Sequence, residues 1–244
     1  MQYSEYWLFS KIFMKKLKIL GICTSTRGKE SNTYYLMKAA FDGIKDEYLE
    51  KEIIVASELN LRPCEHHYSI NAKMCVHPCL ITQLDRKDEM IKIYDGILNS
   101  DIVIFSTPIY WGNHSHLMQL IIERLNSLEN SNSVHNKILV KNKIGGIMVL
   151  GHEDGYQHVV GSLMNFLTAL GMIFPPFAYA AWVGESNEET SGDRQRIEKD
   201  EKIKNIFSDL VENTVDFARH ILFCEKCGTK FDYEHHSKIK SSLD

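Results

Sequence analysis

The chain has 244 residues, with 28 lysines and arginines against 32 aspartates and glutamates, so its formal net charge is -4 at pH 7. This balance argues against a nucleic-acid-binding surface, which would need a basic patch or stripe. No apolar run approaches the roughly 20 residues of a membrane-spanning helix, and residues 1–13 lack the cationic start and cleavage site of a signal peptide. We therefore expect a cytoplasmic protein that acts on small molecules, with neither a nucleic-acid nor a membrane partner.

Hydrophobic patterns predict strands that alternate with helices. The strands are predicted at 18–23, 51–55, 101–106, 143–150 and 173–183, and the helices at 32–45, 87–98, 115–128, 157–170 and 201–222. Strands joined by helical crossovers pair in parallel. We expect an open α/β sheet in one domain, residues 14–222, with an N-terminal extension, 1–13, and a C-terminal tail, 223–244. The aromatic extension could equally be an upstream start-codon artefact, because Met14 opens a natural start for the first strand.

The segment after the first predicted strand is suited to a phosphate. Hydroxyl groups come from Ser25, Thr26, Ser31 and Thr33, and a cation comes from Arg27. The start of the following helix adds unpaired backbone N–H groups. A plain N-cap cluster is the ordinary alternative, and phosphate binding does not exclude it because both uses exploit the same helix terminus.

The segment after the third predicted strand, residues 106–112, is suited to a flat ring. Pro108 stiffens the backbone, Tyr110 and Trp111 offer aromatic faces, and Gly112 lets the main chain approach closely. Aromatic residues after a strand more often belong to the core, but their position between Pro108 and Gly112 favours a ligand platform. Ligands of open α/β sheets bind at the carboxyl ends of the strands. A phosphate and a planar heterocycle held there together describe a mononucleotide.

These two segments resemble the motifs of the NADPH-dependent FMN reductase family. The family's first motif is matched by Ser25, Arg27 and the helix start Ser31, Asn32 and Thr33, and its second motif by residues 107–112, followed by Ser115, Glu123 and Arg124. Thr26 replaces the family's proline, and Gln119 replaces a lysine that is common in the second helix. Two motifs together are much more specific than either alone.

The resemblance implies a flavodoxin-like, doubly wound, five-stranded parallel sheet in three layers that binds FMN without a covalent bond. It assigns flavin contacts to Pro108, Ile109, Tyr110, Trp111 and Gly112. It also implies that NADH or NADPH, as co-substrate, gives hydride to the flavin, which passes electrons to a small acceptor such as a quinone, a nitro compound or another flavin. The protein mainly positions the reactants, so no catalytic side chain is predicted. A homodimer, with a second subunit near Trp111 and residues 114–116, is expected by analogy.

A third loop follows the fourth predicted strand and contains Gly151, His152, Asp154 and Gly155. Its glycines permit unusual backbone angles, so its amides could bond the polar edge of a flavin. An ordinary turn with Asp154 as a helix cap is the alternative. Beside the other two loops, the flavin interpretation is favoured.

The cysteines raise the question of a metal. Iron-sulfur flavoproteins related to this family carry a compact set of cysteines in the segment that here contains Cys64, Cys75 and Cys79. His67 and Ile70 stand where further thiols would be needed, so we predict no cluster in this segment. Zinc or a histidine-ligated centre, with His66, His67 and His77 nearby, is the alternative.

The tail contains Cys224 and Cys227, followed by His235 and His236, which resembles half of a zinc site. We predict no metal there either.

Two competing functions remain open from the sequence. One is an electron carrier with a cysteine-ligated metal centre, and the other is a binding module that uses the flavin as a redox sensor.

Overall fold

The computed structural model describes residues 16–151, 155–184 and 190–223, leaving out the side chains of 190–192. In this part of the chain the strands are β1 (Leu17–Cys23), β2 (Leu49–Val55), β3 (Ile102–Tyr110), β4 (Asn113–His114), β5 (Ile144–Gly151) and β6 (Tyr179–Val183). The helices are α1 (Asn32–Gly43), α2 (His67–Ile70), α3 (Leu80–Leu84), α4 (Met90–Leu98), α5 (His116–His135), α6 (Tyr156–Leu170), α7 (Thr190–Lys199) and α8 (Glu201–Phe223). None of these helices is both long and apolar enough to cross a membrane.

The five long strands form a sheet in the order β2-β1-β3-β5-β6, and each neighbouring pair is parallel. The predicted doubly wound parallel sheet is therefore confirmed. The short β4 was not predicted, and it pairs antiparallel with the end of β3. It forms because Trp111 and Gly112 have φ values of 52° and 71°, and two successive positive φ angles reverse the chain in a tight hairpin.

Helices cover both faces of the sheet and give three layers. Alternate strand residues point to opposite faces: Leu20 and Ile22 of β1 belong to a core with α4, α5 and α6. Leu17 and Ile19 belong to a second core with α1 and α8. Both faces of the sheet are therefore buried, as expected for parallel strands.

The chain departs from the predicted elements after β5. The last strand was predicted from residue 173, but it begins at Tyr179, and Ile173 makes only an isolated bridge to Ile144. Pro175 and Pro176 cannot donate ladder bonds, and Phe177 has a φ of 57°, so the intervening backbone cannot be extended strand. Helix α7 was not predicted at all.

The proposed division at residues 13 and 222 stays a prediction, because most of the extension and tail lies outside the described residues.

Candidate functional site

A cavity of about 260 Å³ lies at the carboxyl ends of β1, β3, β5 and β6. Its lining residues are Ser25, Arg27, Ser31, Asn32, Thr33, Pro108, Ile109, Tyr110, Leu150, Gly151, Trp182 and Asp193. Four other cavities among the described residues, of about 410 to 690 Å³, are larger. The two largest of these, of about 480 and 690 Å³, lie by the segments that enter β2 and β5, at the opposite edge of the sheet. The smaller cavity is at the point where strand order reverses between β1 and β3, which is where ligands of such sheets bind.

Most of the lining residues are those predicted from the sequence. Of the other predicted residues, Thr26, Trp111, Gly112 and Gly155 lie nearby without lining the cavity, and His152 and Asp154 lie outside the described residues. Sequence reasoning missed Leu150, Trp182 and Asp193. The first two belong to strands whose ends were correctly expected at this edge, whereas Asp193 belongs to the unpredicted helix α7.

The first loop folds into a compact turn that leads into α1. The Ser31 hydroxyl donates to the carbonyl of Gly28 at 2.7 Å and accepts from the N–H of Tyr34 at 3.0 Å. Ser31 is therefore the N-cap, as the ordinary alternative proposed. Ser25, Ser31 and Thr33 are all nearly buried, although a hydroxyl in a plain surface cap would remain exposed. Phosphate binding by this loop stays a prediction that the geometry accommodates.

Asn32 is oriented by a residue from α7. The Nε of Arg194 donates to Asn32 Oδ1 at 2.7 Å, and its Nη2 donates to the carbonyl of Glu30 at 3.1 Å. The same guanidinium lies 4.5 Å from the centre of the Tyr35 ring, a cation–π distance. Because the amide oxygen of Asn32 is already an acceptor, its Nδ2 group is left to donate toward a ligand.

Buried hydroxyls fix the end of β1 to the neighbouring elements. Thr24 donates to the carbonyl of Ser106 at 2.9 Å. Ser115, the N-cap of α5, donates to the carbonyl of Thr24 at 2.8 Å, and its own N–H bonds Thr107 Oγ1 at 3.0 Å. These four residues are at most 1% exposed. The two predicted ligand segments are therefore rigidly connected below the cavity.

The second segment is largely strand, which corrects the expectation that residues 106–112 form a loop. Strand β3 runs to Tyr110, and Pro108 lies opposite Leu150 of β5. On its other side β1 ends opposite Ser106, so the missing N–H of Pro108 removes no bond to β1. Tyr110 lines the cavity, whereas Trp111 is 97% exposed at the hairpin turn. Its indole is therefore available to a neighbour rather than buried against the cavity.

The glycines of the third loop lie against the second segment. A Cβ at Gly151 would be 2.8 Å from Ile109 Cβ, and a Cβ at Gly155 would be 3.1 Å from Gly112 Cα. Gly155 also has a φ of 120°, which L-amino acids rarely adopt. Both glycines thus allow a close approach to other parts of the protein, and the bonds expected from the amides of this loop to a flavin stay a prediction. Capping of α6 by Asp154 falls outside the described residues.

The three cysteines between β2 and α4 do not fit a cluster. The Sγ of Cys75 accepts from Asn126 Nδ2 at 3.3 Å, and burial raises the pKa of this thiol. Within the described residues, no group of three or more histidine, cysteine or acidic side chains is placed to hold a metal. A cubane needs four ligands, and Cys64, Cys75 and Cys79 supply three. Cys23 is fully buried in β1 and packs there as a small core residue.

The same segment is attached to α5 by a buried ion pair. Arg124 Nη2 lies 2.7 Å from Asp88 Oδ2, and both side chains are fully buried. Arg124 also donates to the Arg62 carbonyl and to Thr82 Oγ1, each at 2.7 Å. Burial opposes the charge on each partner, but their mutual attraction outweighs it, so the pKa of Asp88 is lowered and the pKa of Arg124 is raised. This arginine of the second motif therefore has a structural role.

Comparison with known proteins agrees with the geometry. The NADPH-dependent FMN reductase family matches residues 17–186. The chain is 33% identical over 114 residues to 8-demethyl-8-aminoriboflavin-5'-phosphate synthase of Streptomyces davaonensis, a match that covers 45% of this chain and only 44% of the synthase. It is 27% identical over 159 residues to an iron-sulfur flavoprotein of Methanocaldococcus jannaschii, covering 64% of this chain and 75% of that protein.

A solved structure extends the likeness to nearly the whole fold. RosB, crystallised with bound 8-demethyl-8-formylriboflavin-5'-phosphate, superposes with a TM-score of 0.68 at 23% identity. The superposition covers 93% of this chain and 88% of RosB. At this level of identity the likeness supports the fold alone.

Proposed function

Because the chain belongs to the NADPH-dependent FMN reductase family, we propose that it is an FMN-dependent oxidoreductase that uses NADH or NADPH as co-substrate. The acceptor is a small molecule such as a quinone, a nitro compound or another flavin. The observation that carries this proposal is the cavity itself, which joins the buried hydroxyls at the start of α1 to the aromatic end of β3.

The residues present fit FMN in two parts. The first loop, with Ser25, Ser31 and Thr33, would hold the phosphate together with the N–H donors of Arg27 and Asn32. Small-ligand pockets usually measure about 300 to 1,000 Å³, and this cavity of about 260 Å³ is smaller. It would therefore enclose the phosphate and the adjoining chain, and the ring system would lie at the mouth beside Tyr110, which is 44% exposed.

When bound, FMN supplies hydride acceptance and donation at N5. The side chains of this protein then serve to position the reactants. Pro108 and Ile109 would support the ring with a stiff, apolar strand end, and the amides of Gly151 and Gly155 would be available to its polar edge. Since hydride transfer needs no side-chain nucleophile, no acid, base or covalent catalyst is assigned.

We also propose that a second copy of the chain covers the mouth of the site in a cytoplasmic homodimer. The nearly full exposure of Trp111 next to the cavity supports this arrangement, because a large exposed aromatic side chain commonly marks a contact surface. Light scattering of the wild type and of Trp111→Ala tests it. We expect a dimer that the substitution weakens, and a monomeric wild type would contradict the proposal.

The function is tested by mixing flavin-loaded protein with NADPH or NADH without oxygen and following the flavin absorbance. We expect one of the two nicotinamides to bleach the bound flavin within seconds, and a quinone added afterwards to restore its absorbance. Free FMN at the same concentration is the control for uncatalysed reduction. Bound flavin that neither nicotinamide reduces faster than this control would contradict the proposal.

A further inference from the structure

Helix α7 contributes a carboxylate that the described function does not use. Asp193 lines the cavity together with the predicted ligand residues, and it is only 3% exposed. Acidic side chains are almost never buried to this extent unless they are paired, and Asp193 does have a partner within the protein. Its presence beside a loop suited to a phosphate calls for an explanation, because like charges in one small site repel each other.

The Asp193 carboxylate packs beside the end of β6. Asp193 Oδ2 lies 2.6 Å from the position that a Cβ would take on Gly184, so this glycine leaves the space that the carboxylate fills. The N–H of Gly184 in turn bonds the carbonyl of Gly151, at the end of β5, at 2.7 Å. Asp193 is therefore seated against Gly184, next to the ends of β5 and β6.

The next residue fixes the helix in this position. Arg194 bonds Asn32 at the start of α1 and stacks on Tyr35. Helix α7 thus reaches the start of α1 through Arg194 and the wall of the cavity through Asp193. Arg194 is a positioning residue for Asn32, whereas Asp193 itself lines the cavity.

An ionised carboxylate accepts hydrogen bonds and donates none, so its natural partner is a hydroxyl and not a phosphate oxygen. Between its phosphate and its ring, FMN carries a ribityl chain with several secondary hydroxyls. We propose that Asp193 binds these ribityl hydroxyls and thereby selects flavins that carry the chain. This inference rests on the proposed function, because it assumes that FMN is the ligand.

The test measures the affinity of full-length, flavin-stripped protein for FMN, riboflavin and lumiflavin, the last of which lacks the ribityl chain. In Asp193→Ala we expect the affinities for FMN and riboflavin to fall by the same factor, about tenfold to a hundredfold, the usual range for hydrogen bonds to a charged group. Lumiflavin affinity should not change. Asp193→Asn, which keeps the side-chain volume and one acceptor oxygen, should recover part of the loss. Asp209→Asn, at an exposed position of α8, is the matched control and should leave all three affinities unchanged.

Two results would overturn the assignment. Tighter FMN binding by Asp193→Ala with unchanged riboflavin binding would show that the carboxylate faces the phosphate. Equal affinities of Asp193→Ala and the wild type for all three flavins would show that Asp193 is only structural. Failure of the wild type to bind FMN at all would instead refute the proposed function.

Discussion

Arg27 and Asn32 both bring N–H donors to the cavity, but only the side chain of Asn32 is held in place by a neighbouring residue. Arg27 is exposed, whereas the Asn32 amide is held by Arg194 Nε at 2.7 Å. A dianionic phosphate is bound most strongly by charge-assisted hydrogen bonds. These two side chains should therefore distinguish FMN from riboflavin, which lacks the phosphate.

Combining Arg27→Ala with Asn32→Ala should weaken FMN binding by roughly 2 to 4 kcal/mol and riboflavin binding much less. Fluorescence titration of the stripped protein measures both affinities. Lys29→Ala is the control, since Lys29 is in the same loop but pairs with Glu58 and does not line the cavity. Equal weakening of the two ligands by the double substitution would mean that the loop contacts something other than phosphate.

Gly155 and Gly161 lie close in sequence but differ in what a side chain would meet. Gly155 has a φ of 120° and would bring a Cβ to 3.1 Å from Gly112, whereas nothing lies within 4 Å of a Cβ at Gly161. We expect Gly155→Ala to lower the free energy of unfolding by about 1 to 3 kcal/mol and to weaken flavin binding. Gly161→Ala, inside α6, should raise stability by about 0.5 to 1 kcal/mol. Thermal unfolding tests both, and a stabilising Gly155→Ala would contradict the described turn.

At the scale of elements, the long segment between β2 and α4 depends on α5. Arg124 holds it through Asp88, Thr82 and the carbonyl of Arg62, and Asn130 Nδ2 donates to the carbonyls of Ala72 and Cys75 at 2.7 and 2.8 Å. These bonds fix the path of the segment, which has only short helices of its own. The segment is therefore held by polar side chains of α5 and not by pairing with the sheet.

Arg124→Ala should destabilise the protein by about 3 to 5 kcal/mol, because it leaves the Asp88 carboxylate buried without its cation. Adding Asp88→Asn should restore part of this loss by removing the uncompensated charge. Denaturant unfolding of the two variants measures the difference. If the double variant were less stable than Arg124→Ala, the buried charge could not be the cause of the loss.

The same pair predicts a dependence on pH. Burial works to raise the pKa of Asp88, but the Arg124 guanidinium and hydrogen bonds lower it overall. A lowered folded-state pKa contributes stability above the ordinary aspartate value of about 3.9, and this contribution is lost as pH falls through the folded pKa. In Arg124→Ala the guanidinium that lowers this pKa is lost, while burial and the bonds from the Arg62 N–H and Thr82 remain. The pKa of Asp88 should therefore rise, and the stability deficit of the variant should shrink as pH falls from about 7 to 4. A deficit that stays constant over this range would contradict the account.

Cys64, Cys75 and Cys79 lie in this anchored segment. Because the chain supplies three thiols where a cubane wants four, replacing all three with serine should leave FMN content unchanged and alter acceptor kinetics modestly. Iron, acid-labile sulfide and flavin are measured on protein purified without oxygen. Stoichiometric iron and sulfide in the wild type, lost in the triple variant, would favour the electron-carrier function over the reductase.

At the scale of the whole molecule, the parallel α/β sheet and the edge that carries the cavity could be predicted from the sequence pattern, whereas the doubly wound, flavodoxin-like arrangement was implied by the family resemblance. Buried β-branched runs separated by helical patterns allow few topologies once parallel crossovers are required. Ser31 could be placed because it stands at the start of the helical pattern after the first run, and Pro108 because it comes soon after the third predicted run. Local signals of this kind are strong where a helix begins or a strand ends.

The missed features depend on tertiary contacts. Helix α7 has a mostly polar sequence, and its buried face is marked by Asp193 and Ile197, four residues apart. A carboxylate at an inward position breaks the apolar pattern by which helices are recognised. Trp111 was expected at the cavity, but the positive φ at Trp111 and Gly112 turns the hairpin and points the indole outward. Neither the burial of Asp193 nor the exposure of Trp111 can be obtained from spacing alone.

The central claim is that the cavity beside β1 and β3 binds FMN, and the most direct test is the identity of the flavin released from purified, denatured protein. The first loop offers one phosphate site and lacks the Gly-x-Gly-x-x-Gly turn of dinucleotide-binding sites. Chromatography with mass detection should therefore find FMN, close to one per chain after reconstitution. Release of FAD, or of no flavin even after incubation with FMN, would contradict the account.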